Sequence, residues 1–477
     1  MKQGLLLLLA GLVSLAAGAQ DTKDQEKILN QKWQSFTVNE AKQAPVRPEP
    51  KSIPVAPKGA TPKTMELPVS SAGADLEAAF REDALGHLRD LFDTPEAPLS
   101  TPAYMEIGEG AEDERFQFFN IPVKMLAPSA TQDSRLHKNI GLSEKDISGF
   151  WAALEKPGKK TASFKDQVIP LFVSCRDTYD LSDWTLYRLI EAYAASEWSH
   201  PTHRIVARVF LLNNLGIEAK MARVGDHIAI LMPAKQTVFG HSYITLSGMP
   251  YYLMEEGFPP QILTYPQRGS YKTEPIDLAL AHNDLVFDTQ PPIQVEKDLT
   301  RVKLKINVPI SRARCEFYES YPAVSVKHYA HSHADPTFCS ALLKQLAPLR
   351  KKGTVAGVQA LLDCIQLDFD YATDHEQFGK EKPFFLEENF LYPYNDCEDR
   401  AILFVFLVKR LFKLDAVLLE YPNHVAAAVC FNTSVPGAYI QHNGRNYVIC
   451  DPTYLGADIG MVIPHLKDTP AEVITMP

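Results

Sequence analysis

Two stretches of the chain, about 200 residues apart, resemble each other, and this constrains the fold more than any other feature. The first, "RIVARVFLLNNLGIEAKMARVGDHIAIL", begins at Arg204; the second, "RAILFVFLVKRLFKLDAVLLEYPNHVAAAV", begins at Arg400. Aligning the two arginines matches Val209 with Val405, Phe210 with Phe406, Leu211 with Leu407 and Leu215 with Leu411. One inserted residue later, Ala219 meets Ala416 and His227 meets His424. Each stretch reads as an amphipathic helix, a short turn and a strand that carries a histidine. Further on, "GMPYYLMEEG" parallels "GRNYVICDPTY" and sets Glu255 against Asp451. Two copies are too few for a solenoid, so two related domains are expected.

The rest of the chain frames these copies. At 477 residues it exceeds one compact domain. The start, "MKQGLLLLLAGLVSLAAGAQ", has a lysine, an apolar run and the small residues Ala17, Gly18 and Ala19, the pattern of a cleavable export signal over 1–19. Its apolar run is short for a bilayer span, and no later stretch is apolar enough for one. Residues 20–70 form a polar, proline-rich lead, expected to be a flexible linker. Residues 71–140 read as a small α/β region, with a helix in "DLEAAFREDALGHLRDLF" and a strand in "FQFFNIPVKM". The first copy is placed at 141–256, a β-rich segment at 257–335 and the second copy at 336–477. The fold class predicted is α+β. A net charge of −10 without a basic tract argues against nucleic acid as a partner.

The second copy carries chemistry. In "YPYNDCEDRAILFVFLVKRL", Asn395 or Asp396 can cap a helix, with Glu398 placed to complete a capping box from Asn395. Cys397 then falls in the first turn, where unpaired backbone N–H groups and the helix dipole favour a thiolate. Glu398 and Asp399 oppose it, so a further activating group is needed. His424 in "EYPNHVAAAV" can take the thiol proton, and Asp451 in "NYVICDPTY" can hold the imidazole. Seven cysteines leave at least one unpaired within the chain; Cys430 and Cys450 read as strand packing.

Together, "NDCEDRA", "YPNHVAAAV" and "YVICDPTY" resemble the three motif blocks of the transglutaminase-like superfamily of papain-like cysteine enzymes. The likeness covers roughly 340–460, with a faded copy over 180–256. It implies two transglutaminase-like domains, and acyl transfer through Cys397, His424 and Asp451 on a peptide or protein amide, with no cofactor. An oxyanion donor is sought in Gln377 or Tyr394, beside the Cys397 backbone N–H. The first copy has His200–Pro201 where the nucleophile should be, with His227 and Glu255 at the other two places. It reads as a degenerate domain. A two-histidine, one-carboxylate metal set from His200 or His203 with His227 and Glu255 is the sharper alternative and is not favoured. The histidines of "KHYAHSHAD" (327–335) are expected in a solvated loop.

Overall fold

The computed structural model describes residues 34–39, 53–70, 104–255, 261–265, 271–280, 285, 288 and 290–477. The export signal over 1–19 and the helix expected over 75–92 lie outside the described residues. The architecture is α+β. Among the described residues no helix is long and apolar enough to cross a membrane.

The chain opens with β1 (Gln34–Thr37) and β2 (Met65–Glu66), then a three-stranded sheet of β3 (Met105–Ile107), β4 (Glu114–Phe118) and β5 (Ile121–Met125). Four helices follow: α1 (Glu144–Glu155), α2 (Phe164–Tyr179), α3 (Asp183–Glu197) and α4 (Pro201–Asn214). The first three start where the sequence supplies a serine cap. Ser143, Ser163 and Ser182 accept from the N–H of Asp146, Asp166 and Thr185. Pro201 opens α4, a position that needs no backbone donor.

After α4 come β6 (Lys220–Val224), β7 (His227–Pro233), β8 (Tyr243–Leu246), β9 (Met249–Leu253) and β10 (Gln261–Thr264). A hairpin of β11 (Ile293–Leu299) and β12 (Leu304–Ile310) leads into α5 (Arg312–Ser320), α6 (Val326–Ala330), α7 (Pro336–Leu346), α8 (Thr354–Asp368), α9 (Asp374–Phe378), α10 (Glu388–Leu391) and α11 (Cys397–Leu407). The chain ends with β13 (Asp415–Tyr421), β14 (His424–Cys430), β15 (Ala438–His442), β16 (Arg445–Ile449) and β17 (Glu472–Thr475).

The two large sheets share one strand order. The first runs β1-β10-β6-β7-β9-β8 and the second β17-β13-β14-β16-β15-β2. Without the edge strands β1 and β2, β10 to β8 and β17 to β15 correspond one for one. One face of each sheet meets a shared apolar core, which holds Val206 and Phe210 of α4 and Leu403 and Phe404 of α11. The other faces have small cores of their own, around Leu231 and Tyr251 in the first sheet and Leu419 and Tyr447 in the second.

Two boundaries need correction. The first sheet reaches past 256, because β10 lies in the segment expected to be a separate β-rich unit; beyond the β11–β12 hairpin that segment is helical. The proline-rich lead is extended but is not a free linker over 53–70. β2 pairs in parallel with β15, the Ala56 N–H donates to the Leu455 carbonyl, and the Leu455 N–H donates to the Pro54 carbonyl. Ala56 and Leu67 are buried in the outer core of the second sheet. Proline suits an edge strap because such a strand pairs on one side only.

Candidate active site

Cys397 is the first residue of α11, a helix buried on nearly every side and packed against β14. The cap differs in detail from the sequence reading. Asp396 is the cap residue, and its N–H donates to Asp399 Oδ2 at 3.1 Å, so Asp399 closes the box. Asn395 instead donates its amide to Asn389 Oδ1 at 3.0 Å. Glu398 turns to the nucleophile position: the Cys397 thiol donates to Glu398 Oε2 at 3.0 Å. The cysteine is 5% exposed.

His424 is the first residue of β14, immediately after the two-residue turn Pro422–Asn423 that closes the β13–β14 hairpin. Its Nε2 lies 2.8 Å from Asp451 Oδ2, with both side chains buried. Asp451 follows β16 by two residues. Its other oxygen, Oδ1, accepts from the N–H groups of Thr453 (2.9 Å) and Tyr454 (3.2 Å), so the carboxylate is held from both ends. Gln366 of α8, 2% exposed, pins the same loop. Its amide donates to the carbonyls of Asp451 (3.0 Å) and Ala457 (3.1 Å), and its oxygen accepts the Gly456 N–H (3.0 Å). With Nε2 occupied by Asp451, Nδ1 is the ring nitrogen left for a proton exchanged elsewhere.

The first sheet repeats this frame without its chemistry. His227 is the first residue of β7, after the turn Gly225–Asp226. The Cys450 N–H donates to the Ala427 carbonyl and the Met254 N–H to the Ile230 carbonyl, each three residues past the histidine. Register therefore pairs His227 with His424 and Glu255 with Asp451. The side chains nonetheless separate. His227 is 60% exposed at its side chain, beside Asp226. Glu255 accepts the Ile230 N–H at 2.7 Å, and burial raises its carboxyl above the ordinary range. His200 caps α4 through Nδ1, and His203 bonds the Lys138 carbonyl. The described residues do not bring these four together as a metal set.

Gln377 and Tyr394 are engaged with each other. The Gln377 amide donates to the Tyr394 carbonyl and its oxygen accepts the Tyr394 N–H, both at 3.3 Å, while Tyr394 stands 42% exposed. Gln377 thus has both ends of its amide committed to main chain, which counts against the oxyanion role. His328 and His331 are not on a solvated loop either. They belong to α6 and its cap, half-buried, and burial lowers the pKa of both. All seven cysteines are thiols.

What the sequence reading missed is a set of acids around the helix mouth. Oxygens of Asp374, Glu381 and Glu398 lie within 4.8 Å of one another, as do ligand atoms of Asp396, Cys397 and Glu398. Burial and the Glu398 carboxylate push the Asp374 carboxyl up to about 8. Burial and the neighbouring carboxylates also raise Asp396 and Asp399 well above the usual range. The cations close by are otherwise engaged: Lys382 pairs with Glu388, and Arg400 donates to the Phe369 carbonyl and lies over the Tyr371 ring. Carboxylates this close and this buried resist full ionisation unless a proton or a cation sits among them. These oxygens are the donor set that could hold a metal. Only the short "DHEQFGKE" run, with three acids in eight residues, signalled them in sequence.

No protein-family model matches the chain, and no curated protein or solved structure matches it either.

Proposed function

We propose that the chain is a cysteine-dependent acyl-transfer enzyme of transglutaminase-like type, a peptidase or amidase, with its catalytic residues in the C-terminal copy. The observation that carries this reading is the buried His424–Asp451 pair, at 2.8 Å, on the strand against which the Cys397 helix packs. In the proposed cycle Asp451 fixes Nε2–H of the imidazole and Nδ1 takes the Cys397 proton. The thiolate attacks an amide carbonyl, His424 returns the proton to the leaving amine, and a thioester forms on Cys397. Water or a second amine then releases the acyl group. The Cys397 N–H, in the first helical turn, is the oxyanion donor this reading assigns. The N-terminal copy is a degenerate duplicate, with Pro201 at the nucleophile's place. The leader over 1–19 makes export part of the same proposal.

The test is to incubate the protein with peptide amides and look for the acyl adduct by mass spectrometry. A thioester mass on the Cys397 peptide, absent in Cys397→Ala, supports the reading; turnover that survives Cys397→Ala refutes it.

A second reading has an observation of its own. Cys397 is nearly inaccessible and its thiol is held by a carboxylate, as expected of a blocked site retained for binding peptides, proteins or cell-wall material. Tight binding of such ligands without a covalent adduct would favour it.

A further inference from the structure

We propose that Asp374, Glu381 and Glu398 form a calcium-binding site beside the Cys397 thiol, with Asp396 as an additional ligand. Two carboxylates come from the loop and short helix at 374–381 and one from the first turn of α11, so the fold converges them from separate segments. Their oxygens lie within 4.8 Å of one another, and calcium–oxygen bonds of about 2.4 Å place ligands of one ion no more than about 5 Å apart. The donors are all oxygens, with no imidazole among them, which suits a hard cation more than zinc. An independent sign is Asp396. It is 7% exposed, its Oδ1 has no hydrogen-bond partner, and its carboxylate lies within the same 4.8 Å of Glu398. The nearest ammonium, that of Lys382, is taken by Glu388; Asp374 receives only the Lys382 main-chain N–H, at 2.6 Å.

The site bears on the nucleophile. Glu398 accepts the Cys397 thiol proton at 3.0 Å, a contact that keeps the thiol neutral and turned from the imidazole. A cation bound by Glu398 draws off that carboxylate's charge and frees the thiol for His424. This second step rests on the reading under Proposed function; calcium binding itself does not.

The experiment uses the full chain, stripped with EGTA and titrated with calcium chloride by calorimetry and thermal unfolding. One equivalent bound with a raised unfolding temperature is expected, and binding should persist in Cys397→Ala and His424→Ala. Asp374→Asn or Glu381→Gln should weaken it by roughly tenfold or more. Glu381 is the more exposed of the two, so its variant guards against misfolding. Absence of binding up to millimolar calcium, a preference for magnesium, or unchanged affinity in both carboxylate variants would overturn the site. Iodoacetamide labelling of Cys397 should quicken on adding calcium. Binding without that change would overturn the coupling to the thiol, whereas loss of labelling in His424→Ala reports on the triad alone.

Discussion

His424 Nε2 and Asp451 Oδ2 lie 2.8 Å apart, although 27 residues separate them in the chain. The pairing follows from β16 running beside β14, with the imidazole leaving at the start of one strand and the carboxylate two residues past the end of the other. Asp451→Asn keeps an oxygen for the N–H groups of Thr453 and Tyr454 but removes the charge that holds the imidazole tautomer. Acyl-transfer rate should fall by roughly 10²–10⁴, with the unfolding temperature nearly unchanged. Steady-state kinetics beside a thermal melt checks both halves.

The loop that carries Asp451 turns back through a contact between two glycines. A Cβ on Gly437 would sit 2.3 Å from Gly460 Cα, and Gly437 has φ +142°, which L side chains avoid. Gly460 donates to the Ile449 carbonyl and accepts from the Ala438 N–H, so it cannot move without breaking β-sheet bonds. Gly437→Ala should cost about 2 kcal/mol or more, read as a lower midpoint in urea.

The strap over 53–70 gives a third prediction. Leu67 is 3% exposed and belongs to the outer core of the second sheet. Leu67→Ala should destabilise the protein by roughly 2–4 kcal/mol in chemical denaturation. A free linker would show no loss.

Stability should also depend on His328. Burial, aided by the neighbouring Lys327 and His331 and opposed by Asp277, pushes its pKa from 6.5 down to about 4. Between pH 6.5 and 4 the unfolded chain takes up a proton that the folded chain refuses. The stability present above pH 6.5 is therefore lost as pH falls through that window, by up to about 3 kcal/mol. His328→Asn should flatten the pH dependence of the unfolding free energy there.

The sequence was most legible where local pattern and chemistry coincide. A cysteine at a helix mouth, a histidine opening an apolar strand and an aspartate after another were all readable, because each sits beside its own secondary-structure signal. The matching strand orders were foreshadowed by the likeness of the Arg204 and Arg400 stretches. Asp374 and Glu381 were not readable as a set. They reach Glu398 only because the chain from 374 to 396 loops back to the helix mouth, and no periodicity encodes that return. Gln366 looks like any polar residue of a helix until its three bonds to the 451–457 loop are seen. The strap was misread for a related reason: proline-rich composition specifies extension but not the sheet edge that receives it. In the first copy the motif positions survive in register while the side chains disperse, so spacing alone overstated how much of a site remained.

The most direct test of the central claim is the rate at which Cys397 is alkylated by iodoacetamide, followed by mass spectrometry at neutral pH in wild type and in His424→Ala. The account predicts labelling of Cys397 well ahead of the other six cysteines, with that advantage lost in His424→Ala. Slow labelling of Cys397 at the same rate in both proteins, with and without calcium, would contradict it.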